Sequence, residues 1–277
     1  MEGSTRVLME KVAEILAEAS AEAVEPRFRA LTDGEVMEKG PGDLVTVADR
    51  EAEVIISRRL RELLPVPVVG EEAVAADPSL ARALVEEPAA WLVDPVDGTS
   101  NFVAGRPDFA VMASLVRSGQ TVAAWIWQPI TKAAYSAELG SGAWRNGSRL
   151  VRRPADDAPE KWRGTIKSRC LDPLEHHRLQ TNARAFGRTS EGLRSAGMEY
   201  PLIAEGEQEF ILYWRTLPWD HAPGSLLITE SGGVSARLSG SPYHPDPPGG
   251  EDGLLVASDP AVWEHTRRVL LGRCPAV

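Results

Sequence analysis

The chain has 277 residues, 43% hydrophobic and 25% charged, enough for one large core or two closely packed ones and unlike a disordered or membrane composition. Thirty basic against forty acidic residues give a net charge of −10, which excludes a protein that coats nucleic-acid phosphates; a phosphorylated ligand would need bound cations to attract it. No apolar run approaches the ~20 residues of a membrane span. The stretch Met1 to Lys11 lacks the apolar block of a signal peptide. Cys170 and Cys274 have no metal-ligand spacing and are expected to be reduced structural thiols, which places the chain in the cytoplasm.

Along the chain, Leu8, Val12, Ile15, Leu16 and Ala19 recur at helical spacing and predict a helix over Thr5–Val24. A second helix follows Val45-Thr46, with Val54, Ile55, Leu60, Leu63 and Leu64 on its buried side, and Pro65 and Pro67 stop it. Val66, Val68 and Val69 form a short strand ending at Gly70. A helix around Ser79–Glu86 precedes a second short buried strand, Trp91-Leu92-Val93. Phe109–Arg117, Val122–Trp127 and Ala133–Glu138, punctuated by Gly119, Gly140, Gly142 and Asn146-Gly147, predict an antiparallel meander. The polar stretch Arg152–Arg163 reads as a connection between an N-terminal α+β domain (1–150) and a C-terminal α/β domain (151–277). The second part predicts a strand near Thr165, helices over Leu174–Ala185 and Ala196–Glu205, the latter interrupted by Pro201, a strand over Phe210–Tyr213 and a helix from about His221 to Glu230. Ser239–Asp252, rich in Pro and Gly, reads as a surface loop.

Three acidic motifs sit at element ends: Gly70-Glu71-Glu72, Asp94-Pro95-Val96-Asp97-Gly98-Thr99, and Trp219-Asp220. Singly each has an ordinary reading. Asp-Pro-x-Asp-Gly is turn chemistry, Glu-Glu a solvated pair, Asp220 a helix cap, and Asp49 a partner for a helix dipole. Together they form a set of hard oxygen donors suited to Mg²⁺, and the first two motifs contain no His or Cys that would favour zinc. His176, His177 and His221 read as surface or packing residues. Gly98 would let backbone amides approach phosphate oxygens, and the Thr99 hydroxyl could hold a metal-bound water, with Asp49 placed to orient Thr99.

This joint pattern resembles the inositol monophosphatase family of magnesium-dependent, lithium-sensitive phosphatases. The residues that carry the resemblance are Lys39 with Asp43–Asp49, Gly70-Glu71-Glu72, Trp91–Phe102, the Gly142–Gly147 turn, Trp219–Gly224 and Glu230–Gly233. The resemblance implies a mixed α/β, layered α-β-α-β-α sandwich, two or three Mg²⁺ ions (with Mn²⁺ able to substitute) and commonly a homodimer, while the charge and the lack of a long apolar run argue for no nucleic-acid or membrane partner. By position it implies that Glu71, Asp94, the Val96 carbonyl, Asp97 and Asp220 hold metal, and that Asp49, Thr99 and Glu71 are catalytic. It further implies that Asp97, Gly98, Thr99, Tyr213 and Asp220 contact substrate.

Two departures from the family pattern stand out. Pro223 lies after Asp220, where proline is tolerated in a first helical turn. Tyr213 occupies the place, seven residues before Asp220, where inositol-hydrolysing members carry a glutamate that binds substrate hydroxyls. An aromatic there implies a substrate other than inositol 1-phosphate. The expected activity is therefore hydrolysis of a small phosphorylated polyol, sugar or amino alcohol. Histidinol-phosphate phosphatase, fructose-1,6-bisphosphatase and 3′(2′),5′-bisphosphate nucleotidase are alternatives, and a regulatory binding protein is an alternative of another class.

Overall fold

The structure is a computed structural model that describes residues 2–40, 42–152, 154–168, 171–248 and 253–272. Cys170, Cys274 and the Gly249–Asp252 part of the proline-rich loop lie outside these residues.

Helix α1 (Glu2–Ala19) buries the expected stripe of Val12, Ile15, Leu16 and Ala19. A π turn and a 3₁₀ turn lead from it to the hairpin β1 (Val36–Gly40) and β2 (Asp43–Thr46). Thr46 then caps α2 (Val47–Leu63): its hydroxyl accepts from the Ala48 amide at 3.1 Å, and its own amide donates to Asp49 Oδ2 at 2.8 Å. The buried face of α2 carries Asp49, Ala52, Glu53, Ile56 and Leu60, whereas Val54 is exposed. The helix is thus rotated from the phase its apolar residues predict, because two of its inward positions hold acids.

The chain continues through β3 (Val68–Gly70), α3 (Glu71–Ala76), a 3₁₀ turn, α4 (Ala83–Glu86), β4 (Ala89–Asp97) and α5 (Thr99–Val103). The expected meander follows as β5 (Ala110–Arg117), β6 (Gln120–Gln128) and β7 (Ala133–Glu138), closed by β8 (Gly142–Arg145) and β9 (Ser148–Arg149). Among the described residues these strands form one sheet in the order β3-β4-β5-β6-β7-β8-β9.

Beyond the 152–162 connection come β10 (Arg163–Ile166), α6 (Pro173–Asn182), β11 (Arg188–Ser190), α7 (Ala196–Ala204) and β12 (Phe210–Tyr213). They are followed by α8 (Pro218–Glu230), β13 (Val234–Arg237), β14 (Leu254–Ala257) and α9 (Pro260–Leu271), with sheet order β11-β10-β12-β14-β13. Pro201 does not break α7. It leaves the Gly197 carbonyl without its helical partner, and the Gln128 side chain donates to that carbonyl instead, at 3.1 Å. Helix α8 begins at Pro218, earlier than expected, so Asp220 lies inside its first turn and Pro223 beyond it.

The layers follow from which faces are apolar. Val12, Leu16, Ala52 and Ile56 of α1 and α2 pack with Trp91, Val93 and Trp125 on one face of the large sheet. Its other face, through Met112 and Ile126, buries α7 and α8 against Ile211 and Val256 of the second sheet. Leu179 of α6 and Trp263 of α9 cover that sheet's far side over Phe210 and Leu212. The result is the α-β-α-β-α sandwich. No described helix is long and apolar enough to cross a membrane.

Candidate active site

The sequence reads Asp-Pro-x-Asp as a turn, yet β4 runs through it. Asp94 pairs with Met112 and Asp97 with Ala110, so three steps along β4 oppose two along β5. In a regular strand residues three apart face opposite sides. The extra residue of this bulge brings Asp94 and Asp97 to the same side. The chain then turns at Gly98, with φ +91°, into α5. A Cβ at Gly98 would meet the Asp108 carbonyl at 2.9 Å and Ser195 Cβ at 3.0 Å, so glycine is required by both conformation and space.

A cleft of about 210 Å³ opens here. Glu71, Asp94, Val96, Asp97, Thr99 and Asp220 line it, so all three acidic motifs meet in one place. Carboxylate oxygens of Asp94, Asp97 and Asp220 lie within 4.8 Å of one another, Asp94 and Asp97 being buried. Glu71 comes from the start of α3, where Lys39 donates to its Oε1 and to Glu72 Oε1, both at 2.8 Å. Below the cleft, Asp49 Oδ1 accepts from the Thr99 hydroxyl at 3.0 Å, and Asp49 Oδ2 is fixed by the Thr46 amide and hydroxyl. Thr99 Oγ1 is also 3.0 Å from the Val96 carbonyl.

Tyr213 is not in the cleft. On β12, Phe210 and Leu212 face the α6/α9 side while Ile211 and Tyr213 face α7 and α8. The Tyr213 ring stacks on Tyr200 and meets His221 edge-on, and its hydroxyl donates to Glu199 Oε2 at 3.0 Å. Tyr213, turned into the core, therefore gives no ground for disfavouring inositol 1-phosphate as a substrate. Two residues on, Arg215 lines the cleft, as does Arg194.

Other groups escaped sequence reading. Asp97 accepts three hydrogen bonds from the start of α7: Ser195 Oγ at 2.5 Å, the Ala196 amide at 3.1 Å and the Gly197 amide at 2.7 Å. It therefore ties the two sheets together through α7 while keeping a lone pair for the cleft. Glu53 accepts from the Glu72 and Ala73 amides at 2.8 and 2.9 Å, fixing the turn that presents Glu71. The signal for Glu53 was its place one helical turn after Asp49. His221 is buried and offers no ligand atom. Its Nε2 must donate to the Arg215 carbonyl at 3.0 Å, leaving Nδ1 to accept from Tyr200.

The electrostatics fit a cation. Burial is the largest cause raising the Asp94 and Asp220 carboxyls well above their usual range, and their acidic neighbours add to it. Burial pushes Asp49 up to about 6 and Glu71 to about 7, and it raises Asp97 to about 6 despite the hydrogen bonds from α7. Burial tends to lower the Lys39 ammonium, but Glu71 and Glu72 more than reverse this and raise it. Among the described residues Asp94 and Asp97 have no ion-pair partner of their own. Crowded, buried oxygen donors with unbalanced charge are the donor set of a hard divalent ion.

These shifts predict how the metal-free protein melts. Glu53 and Glu71, pushed to about 7, and Asp49 and Asp97, pushed to about 6, hold protons in the folded chain where carboxyls of ordinary pKa, 4.5 and 3.8, have lost them. The folded state thus gains stability as pH falls from about 7 to 5 and loses it as pH rises through that window. His221, lowered to about 3 by burial, opposes this below 6.5, but one histidine is set against four carboxyls. In EDTA the Tm should be higher at pH 5.5 than at 7.5, and the increment given by Mg²⁺ should be larger at 7.5, because metal displaces protons. A metal-free Tm that rises from pH 5.5 to 7.5 would contradict the charge assignment.

The sequence profile of the inositol monophosphatase family matches residues 7–270. The chain belongs to this family. It is 34% identical to an inositol-1-monophosphatase of Rhizobium meliloti over 90% of this chain and 91% of that protein. It is 29% identical to the Nus factor SuhB of Escherichia coli K12 over 74% of this chain and 76% of that one. Among solved structures, the extragenic suppressor protein suhB of Bartonella henselae superposes with a TM-score of 0.78 at 27% identity, covering 95% and 98% of the two chains. An IMPase of Thermotoga maritima gives 0.76 at 25% identity, covering 95% and 94%.

Proposed function

We propose that the chain is a Mg²⁺-dependent phosphomonoesterase acting on a small phosphorylated alcohol. The observation that carries this reading is the convergence of Asp94, Asp97 and Asp220 within 4.8 Å, beside an Asp49–Thr99 pair hydrogen-bonded at 3.0 Å. Asp94, Asp97, Asp220, Glu71 and the Val96 carbonyl would hold the cation, with Mn²⁺ able to replace Mg²⁺. A divalent ion there supplies Lewis-acid polarisation of phosphoryl oxygens and a lowered water pKa. Gly98 and Thr99, at the start of α5, offer backbone amides to the phosphate. Thr99 Oγ1 accepts a hydrogen bond from the attacking water and passes its own proton towards Asp49 Oδ1. With its carboxyl at about 6, Asp49 is largely ionised at neutral pH yet basic enough to take that proton.

A second reading draws on the relatives named Nus factor SuhB, which would make the chain a regulatory binding protein in transcription. The complete carboxylate set favours catalysis. A homodimer in the cytoplasm fits either reading. Phosphate release from a panel of phosphomonoesters separates the two. Activity is expected with Mg²⁺ and should vanish in EDTA; full activity in EDTA, or none on any ester, would sink the phosphatase reading.

A further inference from the structure

Two arginines share the cleft with the acids. Arg194 stands at φ +63°, a left-handed conformation that is unfavourable for a non-glycine residue and persists only where its surroundings impose it. The surroundings are specific. Buried Glu199 accepts from the Leu193 amide at 2.5 Å and the Arg194 amide at 3.1 Å, and is itself held by Lys167 at 2.6 Å and Tyr213 at 3.0 Å. On the cleft side the loop is tied by Asn101, whose amide donates to the Leu193 carbonyl at 2.7 Å, and by Ser195, whose hydroxyl donates to Asp97. A strained residue is thus fixed beside Asp97 and Gly98, yet its side chain is exposed and, among the described residues, has no ion-pair or hydrogen-bond partner.

Arg215 is similar. Its carbonyl is anchored by His221, while its guanidinium, 66% exposed, lies 3.6 Å from Asp43, which is itself 40% exposed. An open pair at that distance contributes little and yields readily to a better anion. Among the described residues the one ion pair that either guanidinium makes is this open contact of Arg215 with Asp43. In the phosphatase reading the phosphate meets Gly98 and Thr99, so that beyond the charge Arg215 sets against Asp220 the hydrolysis of a simple neutral alcohol ester gives the two arginines no task.

We infer that the cleft takes a phosphomonoester whose alcohol portion carries a second anionic group, and that Arg194 and Arg215 bind that group. The inference rests on the phosphatase reading and narrows its substrate class. Guanidinium forks suit carboxylate and phosphate alike, and on a chain of net charge −10 they also offset the repulsion such a substrate meets.

Three compounds test it: glycerol 3-phosphate, 3-phosphoglycerate, which differs by one carboxylate, and propane-1,3-diol bisphosphate, which bears a second phosphate. Wild type should show a kcat/KM at least about tenfold higher for one of the two anionic compounds than for glycerol 3-phosphate, and which one leads identifies the anion. Arg194→Gln and Arg215→Gln should each raise KM for that compound about tenfold, with a smaller change in kcat, so that the preference collapses, and Arg→Lys should restore part of it. Equal losses on charged and neutral esters would make the arginines mere counter-charges to the acids and overturn the inference, as would a wild-type preference near one. Calorimetric binding of the same compounds to Asp49→Asn separates the two levels of argument. An arginine-dependent preference in binding, without hydrolysis of any ester by wild type, would keep the anion subsite and discard the phosphatase reading.

Discussion

Asp94→Asn is expected to lower kcat about a thousandfold or more in saturating Mg²⁺, while the metal-free variant melts no lower than wild type. The two halves of this expectation have one cause. Asp94 is 1% exposed and its carboxyl is raised well above the usual range by burial and then by Glu71, Asp97 and Asp220. Its negative charge is therefore a liability in the metal-free fold, and asparagine removes it with almost no change of shape. The same charge is what would hold the cation, so the gain in Tm that Mg²⁺ gives wild type should shrink or vanish in the variant. Thermal unfolding with and without Mg²⁺, read beside kcat, distinguishes this from simple misfolding. A variant that melts far below wild type in EDTA, or that keeps full activity, would show that Asp94 is a structural acid.

What could be read from the sequence depended on how local each feature is. The meander was legible because alternation and glycine turns are short-range, and the three acidic motifs because their residues sit close together at element ends. The conformation of Asp94–Asp97 was not. A turn and a bulged strand share the same residue types, and only pairing with Met112 and Ala110 of β5 decides between them. Asp97's hydrogen bonds to Ser195, Ala196 and Gly197 span about a hundred positions, and no local pattern marks them. Glu53 was hidden for another reason. The phase of α2 was set from its apolar residues, which put Val54 inward, whereas Asp49 and Glu53 take inward places and Val54 is 69% exposed. Counting seven residues back from Asp220 points to Tyr213, which faces the core. The connection between β12 and α8 brings Arg215, not Tyr213, to the cleft, and an arginine just after a strand is ordinarily a solvated one.

The Asp49–Thr99 pair carries the second large expectation. Thr99→Ala and Asp49→Asn should each reduce kcat by about a hundredfold to ten-thousandfold with KM little changed, and the double variant should be scarcely worse than either single one. The reason lies in the geometry. Among the described residues the hydrogen-bond partner of Asp49 Oδ1 is the Thr99 hydroxyl, and Asp49 is itself fully buried, so its route to a water in the cleft runs through that hydroxyl. Removing either member breaks the same relay. The competing account is that Asp49 serves α2 alone, since its Oδ2 completes the cap with Thr46. A cap contributes about 1 kcal/mol to stability and nothing directly to chemistry. Thr46→Ala separates the accounts. It loosens the cap without touching Thr99, and should lower the Tm by a few degrees while costing far less activity than Asp49→Asn. If Thr46→Ala matches Asp49→Asn in kcat, or if the losses at Asp49 and Thr99 simply multiply, then Asp49 holds the helix rather than the proton, and the base must be sought in Glu71, whose carboxyl, pushed up by burial to about 7, is the next poised to accept one.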